Sequence, residues 1–219
     1  MRMWFGMMLL AAALLVGPSP AGAAGEARTA VPALAKFGPE DRAVIQEVER
    51  YLNTVETMKA RFLQVSSTGA QAEGDLYLSR PGRMRLAYDP PTPILIVADG
   101  HYLIYYDSQL GQVSYLGLDS TPAGIILRSD VRLGGDVTVT GVRRPPGALE
   151  ISMIQTSDPA AGELTLLMTD NPLTLRQWRV KDAQGQVVTV SLFDARSGVT
   201  LDPTLFTFRD PNFFKPNTD

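Results

Sequence analysis

Gly74-Asp75-Leu76-Tyr77-Leu78-Ser79-Arg80-Pro81-Gly82-Arg83-Met84-Arg85-Leu86 is the stretch that decides the fold. Side chains on a strand alternate between two faces, so Leu76, Leu78 and Arg80 share one face while Tyr77 and Ser79 share the other. Beyond the Pro81-Gly82 turn, Met84, Leu86 and Tyr88 oppose Arg83 and Arg85 in the same manner. Two alternating runs joined by so short a turn leave no room for a helical crossover, so the strands pair antiparallel. Arg80 is the anomaly, because parity points it inward beside two leucines. Its five donors suit helix-end or loop carbonyls. The alternative is a strand that stops one residue early, with Arg80 snorkelling to water.

The same period of two recurs outward from this hairpin. Eleven candidate strands lie near 60–66, 72–80, 84–88, 93–98, 101–106, 112–116, 136–143, 148–156, 163–169, 173–181 and 186–194. Asp99-Gly100, Pro145-Pro146-Gly147 and Asp170-Asn171-Pro172 are among the turns between them. Leu149, Ile151 and Met153 oppose Glu150 and Ser152; Leu164, Leu166 and Met168 oppose Thr165 and Thr169; Val188, Val190 and Leu192 oppose Thr189 and Ser191. The pattern predicts a mainly β protein, one large antiparallel sheet with an aliphatic face. Such a sheet curls with its own twist into an unclosed or closed barrel.

Two helical segments interrupt the alternation. Val44, Ile45, Val48, Tyr51, Leu52, Val55 and Met58 recur at three- and four-residue steps, predicting an amphipathic helix that starts at Pro39, with Glu40 and Asp41 near its N-terminus. Ser120-Thr121-Pro122-Ala123-Gly124-Ile125-Ile126-Leu127 has a capping residue, a proline suited to the first turn and an apolar triplet, predicting a short helix. Gly124 weakens it, which suits a segment that moves. The helices plug the hollow of the sheet. Its aliphatic lining is either a packed core or a pouch for flexible acyl chains.

Composition excludes several classes. The 219 residues carry a formal net charge of −3 and no Cys. Disulfides, thiol catalysis, Cys-ligated zinc and lipid attachment through cysteine are therefore ruled out. An acidic chain lacks the positive surface that nucleic-acid binding needs. His101 is the sole His and no G-x-S-x-G elbow is present, so a hydrolytic triad has no support. No Asp/Glu spacing marks a metal site, and neither metal nor cofactor is expected. Arg2, the uncharged run Met3 to Val16 and Ala21-Gly22-Ala23 read as a secretory signal over residues 1–23. A flexible leader is expected over 24–38 and a single domain over 39–219, exported to the periplasm as a monomer.

Arg61-Phe62-Leu63-Gln64, the stretch 74–86, Ile96-Val97-Ala98-Asp99-Gly100, Thr121-Pro122 and Leu205-Phe206-Thr207-Phe208 together resemble the LolA family, periplasmic carriers of lipoproteins to the bacterial outer membrane. The resemblance implies an eleven-stranded unclosed barrel with a helical lid. It implies that Arg80 latches the lid through helix carbonyls, and that Leu52, Val55, Phe62, Leu76, Leu78, Met84, Leu86, Ile125, Ile126 and Leu127 form the acyl-chain cavity and lid. Met84 stands where the family has an aromatic residue after the proline. The implied partners are lipoproteins, an inner-membrane export complex and an outer-membrane acceptor. The competing reading is a periplasmic carrier or sensor of another lipid on the same half-barrel. Arg128, Arg132, Arg143 and Arg144 are candidates for a docking patch.

Overall fold

The computed structural model describes residues 36–211. Residues 1–35, which include the expected signal segment and most of the expected leader, and residues 212–219 lie outside the described residues. Helix α1 spans Pro39–Thr54, with proline in its first turn beside Glu40 and Asp41, and it buries Ile45, Val48 and Leu52. It ends earlier than the apolar spacing implies: Val55 forms the C-cap, and Met58 falls in strand β1, Thr57–Ser66. The reason is that Met58, Ala60 and Phe62 alternate with outward residues and all pair with β2, Met58 and Phe62 with β11 as well, so strand pairing outweighs a further helical turn.

The remaining strands are β2 (Gln71–Ser79), β3 (Arg83–Tyr88), β4 (Ile94–Asp99), β5 (Tyr102–Asp107) and β6 (Gln112–Gly117), then β7 (Val137–Arg143), β8 (Ala148–Gln155), β9 (Gly162–Thr169), β10 (Thr174–Asp182) and β11 (Val187–Ser197). They form one eleven-stranded sheet in the order β6-β5-β4-β3-β2-β1-β11-β10-β9-β8-β7, every neighbour antiparallel. The two margins, β6 and β7, do not pair with each other. They are also consecutive in the chain, so the connection between them has to cross the gap. It contains a 3-10 turn at Leu118–Ser120 and helix α2, Pro122–Leu127.

The inner face follows parity. Leu76, Leu78, Met84, Leu86, Leu149, Ile151, Met153, Leu164, Leu166, Met168, Val190 and Leu192 are all buried in one cluster with α1 and α2. Gly74 explains a local feature of the motif. It sits on β2 between Phe62 of β1 and Tyr88 of β3, whose rings meet across it at 5.0 Å and 84°. A Cβ at Gly74 would lie 2.2 Å from the Ala87 carbonyl oxygen and 2.8 Å from the Phe62 ring, so only glycine allows that contact. The Tyr88 hydroxyl donates to Gln64 Oε1 at 2.6 Å, and burial pushes its pKa well above the usual phenol value.

The outer face of the β3–β6 half is covered by the C-terminal segment. Arg85 Nη1 donates to the Leu205 carbonyl at 3.1 Å, the Arg83 guanidinium lies 5.7 Å from the Phe206 ring centre, and Phe208 packs on Tyr106 at 5.5 Å. On β1 the Arg61 guanidinium is paired with Asp89 and lies 3.5 Å from Asp75, which holds the Asp89 carboxyl below its usual range.

Candidate functional site

Inside the curl of the sheet the apolar side chains leave a cavity of about 30 Å³, bordered by Leu52, Val55, Met58, Leu76, Leu78, Met84, Ile126 and Trp178. That is room for about one water molecule, so the interior is closed by its own side chains. Two elements do the closing: the last turn of α1, through Leu52 and Val55, and α2, through Ile126.

Arg80 stands where these two elements converge. Strand β2 does end at Ser79, one residue before it, yet the side chain turns toward the lid and not to water. Nε donates to the Arg128 carbonyl at 2.8 Å, and Nη1 donates to the Leu52 carbonyl and, at 3.4 Å, to that of Val55. Nη2 donates to the Arg128 carbonyl, to Asn53 Oδ1 at 3.1 Å and to the Ser129 carbonyl at 3.3 Å. Every one of these acceptors is neutral. Burial lowers the pKa of the guanidinium, with Asp130 and Glu56 countering from nearby, and the group stays a cation at neutral pH. A fork of donors spanning two segments suits arginine and no other side chain.

Further polar clasps hold the same segments. Asn53 donates through Nδ2 to the Glu49 and Val131 carbonyls at 3.0 and 2.9 Å, while its Oδ1 accepts from the Val131 N–H at 2.9 Å. Glu49 Oε2 accepts from the Leu133 N–H at 2.8 Å. Gln155 Nε2 donates to the carbonyls of Asp119 and Thr121 at 2.7 and 3.0 Å, tying the start of the lid to β8. The Thr121 hydroxyl caps α2 by accepting from the Gly124 N–H. Gly124 itself is required by packing: a Cβ there would lie 2.4 Å from the Leu118 carbonyl oxygen. Close approach thus explains this glycine without appeal to a weak helix.

A profile described as "Outer membrane lipoprotein carrier protein LolA" matches residues 53–209. The chain belongs to the LolA family. A LolA-family relative from Methylococcus capsulatus, named an outer-membrane lipoprotein carrier protein, is 29% identical over 173 residues, covering 75% of this chain and 82% of its own. A protein of the same name from Nitrosomonas europaea is 26% identical over 182 residues, covering 79% and 88%. Among solved structures, a DUF1329 family protein from Desulfovibrio piger superposes with a TM-score of 0.50 at 11% identity, covering 77% of this chain and 96% of that one. At that identity the likeness is one of fold.

In this LolA-family chain the residues singled out from sequence do not all fall at one place. Leu52, Val55, Leu76, Leu78, Arg80, Met84 and Ile126 border the cavity. Phe62, Leu86, Ile125 and Leu127 are buried in the same core cluster but do not border it. Phe62 packs edge-on against Tyr88, and Leu127 presents its carbonyl to the Gly82 N–H at 2.7 Å. Sequence reasoning missed Trp178, Met58 and the clasps of Asn53, Glu49 and Gln155. Gln155 carried a usable signal, a polar residue at an inward position after Leu149, Ile151 and Met153; Asn53 carried none. The four arginines considered as a docking patch each face a carboxylate: Arg128 with Asp136, Arg132 with Asp130, Arg143 with Glu150 and Arg144 with Asp41. Among the described residues no cluster of His, Asp and Glu could hold a metal ion, and no helix is long and apolar enough to cross a membrane.

Proposed function

We propose that this protein is a periplasmic carrier that holds the acyl chains of lipoproteins inside its sheet, receives them from an inner-membrane export complex and passes them to an outer-membrane acceptor. The observation that carries the reading is Arg80, a half-buried cation whose acceptors are neutral groups on the two segments that roof an aliphatic interior. A purely structural arginine would sit more cheaply beside a carboxylate or in water. A latch that must let go gains from weak, neutral acceptors that water can replace.

Solubility sets the task. At about 0.8 kcal/mol per CH₂, one long acyl chain in water costs on the order of 10 kcal/mol, so a lipoprotein does not cross an aqueous compartment unaided. The carrier supplies a substitute solvent. In the closed form that solvent is the protein's own Leu52, Val55 and Ile126 packed on Leu76, Leu78 and Met84. Opening withdraws the lid residues and exposes the sheet face, which the acyl chains then cover.

The hydrogen bonds of Arg80 are made in the closed form alone, so they weaken net acyl affinity by linkage and favour release. A carrier needs that compromise, since cargo held too well is never delivered. No group in this scheme performs chemistry.

The test is extraction. Vesicles holding a triacylated lipoprotein are incubated with the export complex, ATP and the purified protein, and the soluble fraction is examined by native mass spectrometry. A soluble one-to-one complex is the expected result. Lipoprotein that stays with the vesicles overturns the proposal, and a free lipid recovered in its place assigns the pouch to another cargo.

A further inference from the structure

We propose that Phe213 and Phe214, which follow the C-terminal segment described above, seat on the outer face of the sheet against Tyr102 and Tyr115 and fasten β6, the margin strand from which the lid connection starts. The site lies on the face opposite the interior cavity, so the inference goes beyond the carrier reading and does not rest on it.

Register defines that face. Arg85, Val97, Ile104 and Tyr115 stand opposite one another on β3, β4, β5 and β6, in one row across the outer side. Val97 is 0% and Ile104 3% exposed, yet neither belongs to the interior cluster. The C-terminal segment covers them instead. Its course is marked by its contacts: the Leu205 carbonyl accepts from Arg85, Phe206 lies by Arg83, Phe208 packs on Tyr106, and Asp210 Oδ2 accepts from the Tyr115 hydroxyl at 3.2 Å. Between Leu205 and Asp210 the chain thus passes from β3 to β6. Cover then runs out: Tyr115 is 49% exposed, and so is Tyr102, whose ring meets it edge-on at 6.1 Å.

A notch and a tether select the occupant. Tyr102 stands opposite Gly117 on β6, and a Cβ there would meet only the Ser120 hydroxyl, at 3.6 Å. The missing side chain leaves room beside two exposed rings, and a further ring packs edge-on or offset at about 4.5–7 Å from such neighbours. Phe213 and Phe214 come three and four residues after Asp210. Three extended residues reach about 10 Å, beyond the 6.1 Å between the tyrosine rings. Lys215 follows, and its charge suits the spot: burial, Asp210 and Asp99 together raise the pKa of the Tyr115 phenol, so two carboxylates act on it. A free partner would have to compete with a segment tethered this closely, whose effective concentration is on the order of millimolar. Strand β6 pairs on one side only, and Leu118, where the lid connection begins, is held through its N–H by the His101 carbonyl. Fastening the outer side of β6 therefore steadies the root of the lid.

The purified protein is compared with the Phe213→Ser/Phe214→Ser double variant by hydroxyl-radical footprinting, with mass spectrometry reading each tyrosine. Tyr102 and Tyr115 are expected to label about fivefold faster in the variant, which corresponds to a pair covered about four-fifths of the time. Tyr77, on the outer face of β2, is expected to label alike in both. The amides of β6 are expected to exchange about tenfold faster in the variant, since a margin strand opens more readily once its cover is gone. Equal labelling of Tyr102 and Tyr115 in the two proteins overturns the inference, and so does a rise that Tyr77 shares. Unchanged exchange in β6 overturns the fastening role. Wild-type protection that grows with protein concentration gives the pair to a second copy, and protection that appears only with vesicles or a membrane extract gives it to a partner; both overturn the inference.

Discussion

Replacing Arg80 by leucine removes four well-formed hydrogen bonds, one each to Leu52 and Asn53 and two to the Arg128 carbonyl, and two longer ones, to Val55 and Ser129. Each hydrogen bond from a charged donor contributes roughly 1.5–3 kcal/mol, while burying the guanidinium costs several kcal/mol in return. The difference leaves a net preference for the closed lid of about 2 kcal/mol, which is about 30-fold in the closed-to-open ratio. In the proposed cycle acyl chains occupy the open form, so Arg80→Leu is expected to raise apparent acyl affinity, and to slow release, by up to about that factor. The sheet does not depend on these bonds, so the fold persists. The assay loads wild type and variant with a fluorescent triacylated lipopeptide and follows its transfer to acceptor vesicles. Arg80→Lys, a point charge unable to span both segments, is expected to fall between the two. Transfer half-lives that agree within twofold would refute the latch, whatever the melting temperatures show.

Four other outcomes are expected. Asn53→Ala strips partners from the Val131 N–H and carbonyl, at about 1–3 kcal/mol, so hydrogen exchange at Val131 should quicken at least tenfold while β1 amides are unchanged; uniform quickening would mean global destabilisation instead. Ile126→Glu places a carboxylate in the roof of the cavity and should weaken acyl binding by about tenfold or more while costing the sheet little; a large fall in Tm with normal acyl uptake would assign Ile126 to the static core. Gly74→Ala forces β2 off the Ala87 carbonyl at a cost of about 3 kcal/mol, or roughly 6–12 °C in Tm; an unchanged melt would contradict the packing account. Asp89, its pKa depressed by Arg61, contributes stability that is present in full above the unfolded carboxylate value near about 4 and is lost as pH falls through its lower folded value. The Tm gap between wild type and Asp89→Asn should therefore close on acidification, and a gap that persists at low pH would rule out the pair as its source.

Much of this molecule is written in local pattern. All eleven strands, the start of α1 and the placement of α2 follow from alternation, turn residues and caps, because a strand or a helix end is specified by neighbours only a few positions away. The inward parity of Leu76, Leu78 and Met84 is of the same kind. The end of α1 was legible only in part: Val55 and Met58 fit a helical spacing and a strand spacing equally, and pairing with β2 and β11 decided between them. Periodicity left Arg80 undecided between interior and water, and family likeness favoured the interior.

What tertiary structure alone decided is who meets whom. Asn53 is bonded to Val131, Glu49 to Leu133 and Gln155 to Thr121, partners 78, 84 and 34 positions apart, and no periodicity encodes such a choice. The gap between β6 and β7 likewise exists only once eleven strands have curled, and that gap turns the 118–136 connection into a roof. Burial pattern is a property of each residue and can be read one position at a time. A latch is a property of pairs, fixed when chain segments that share no local signal are brought within hydrogen-bonding distance by the closing of a common core.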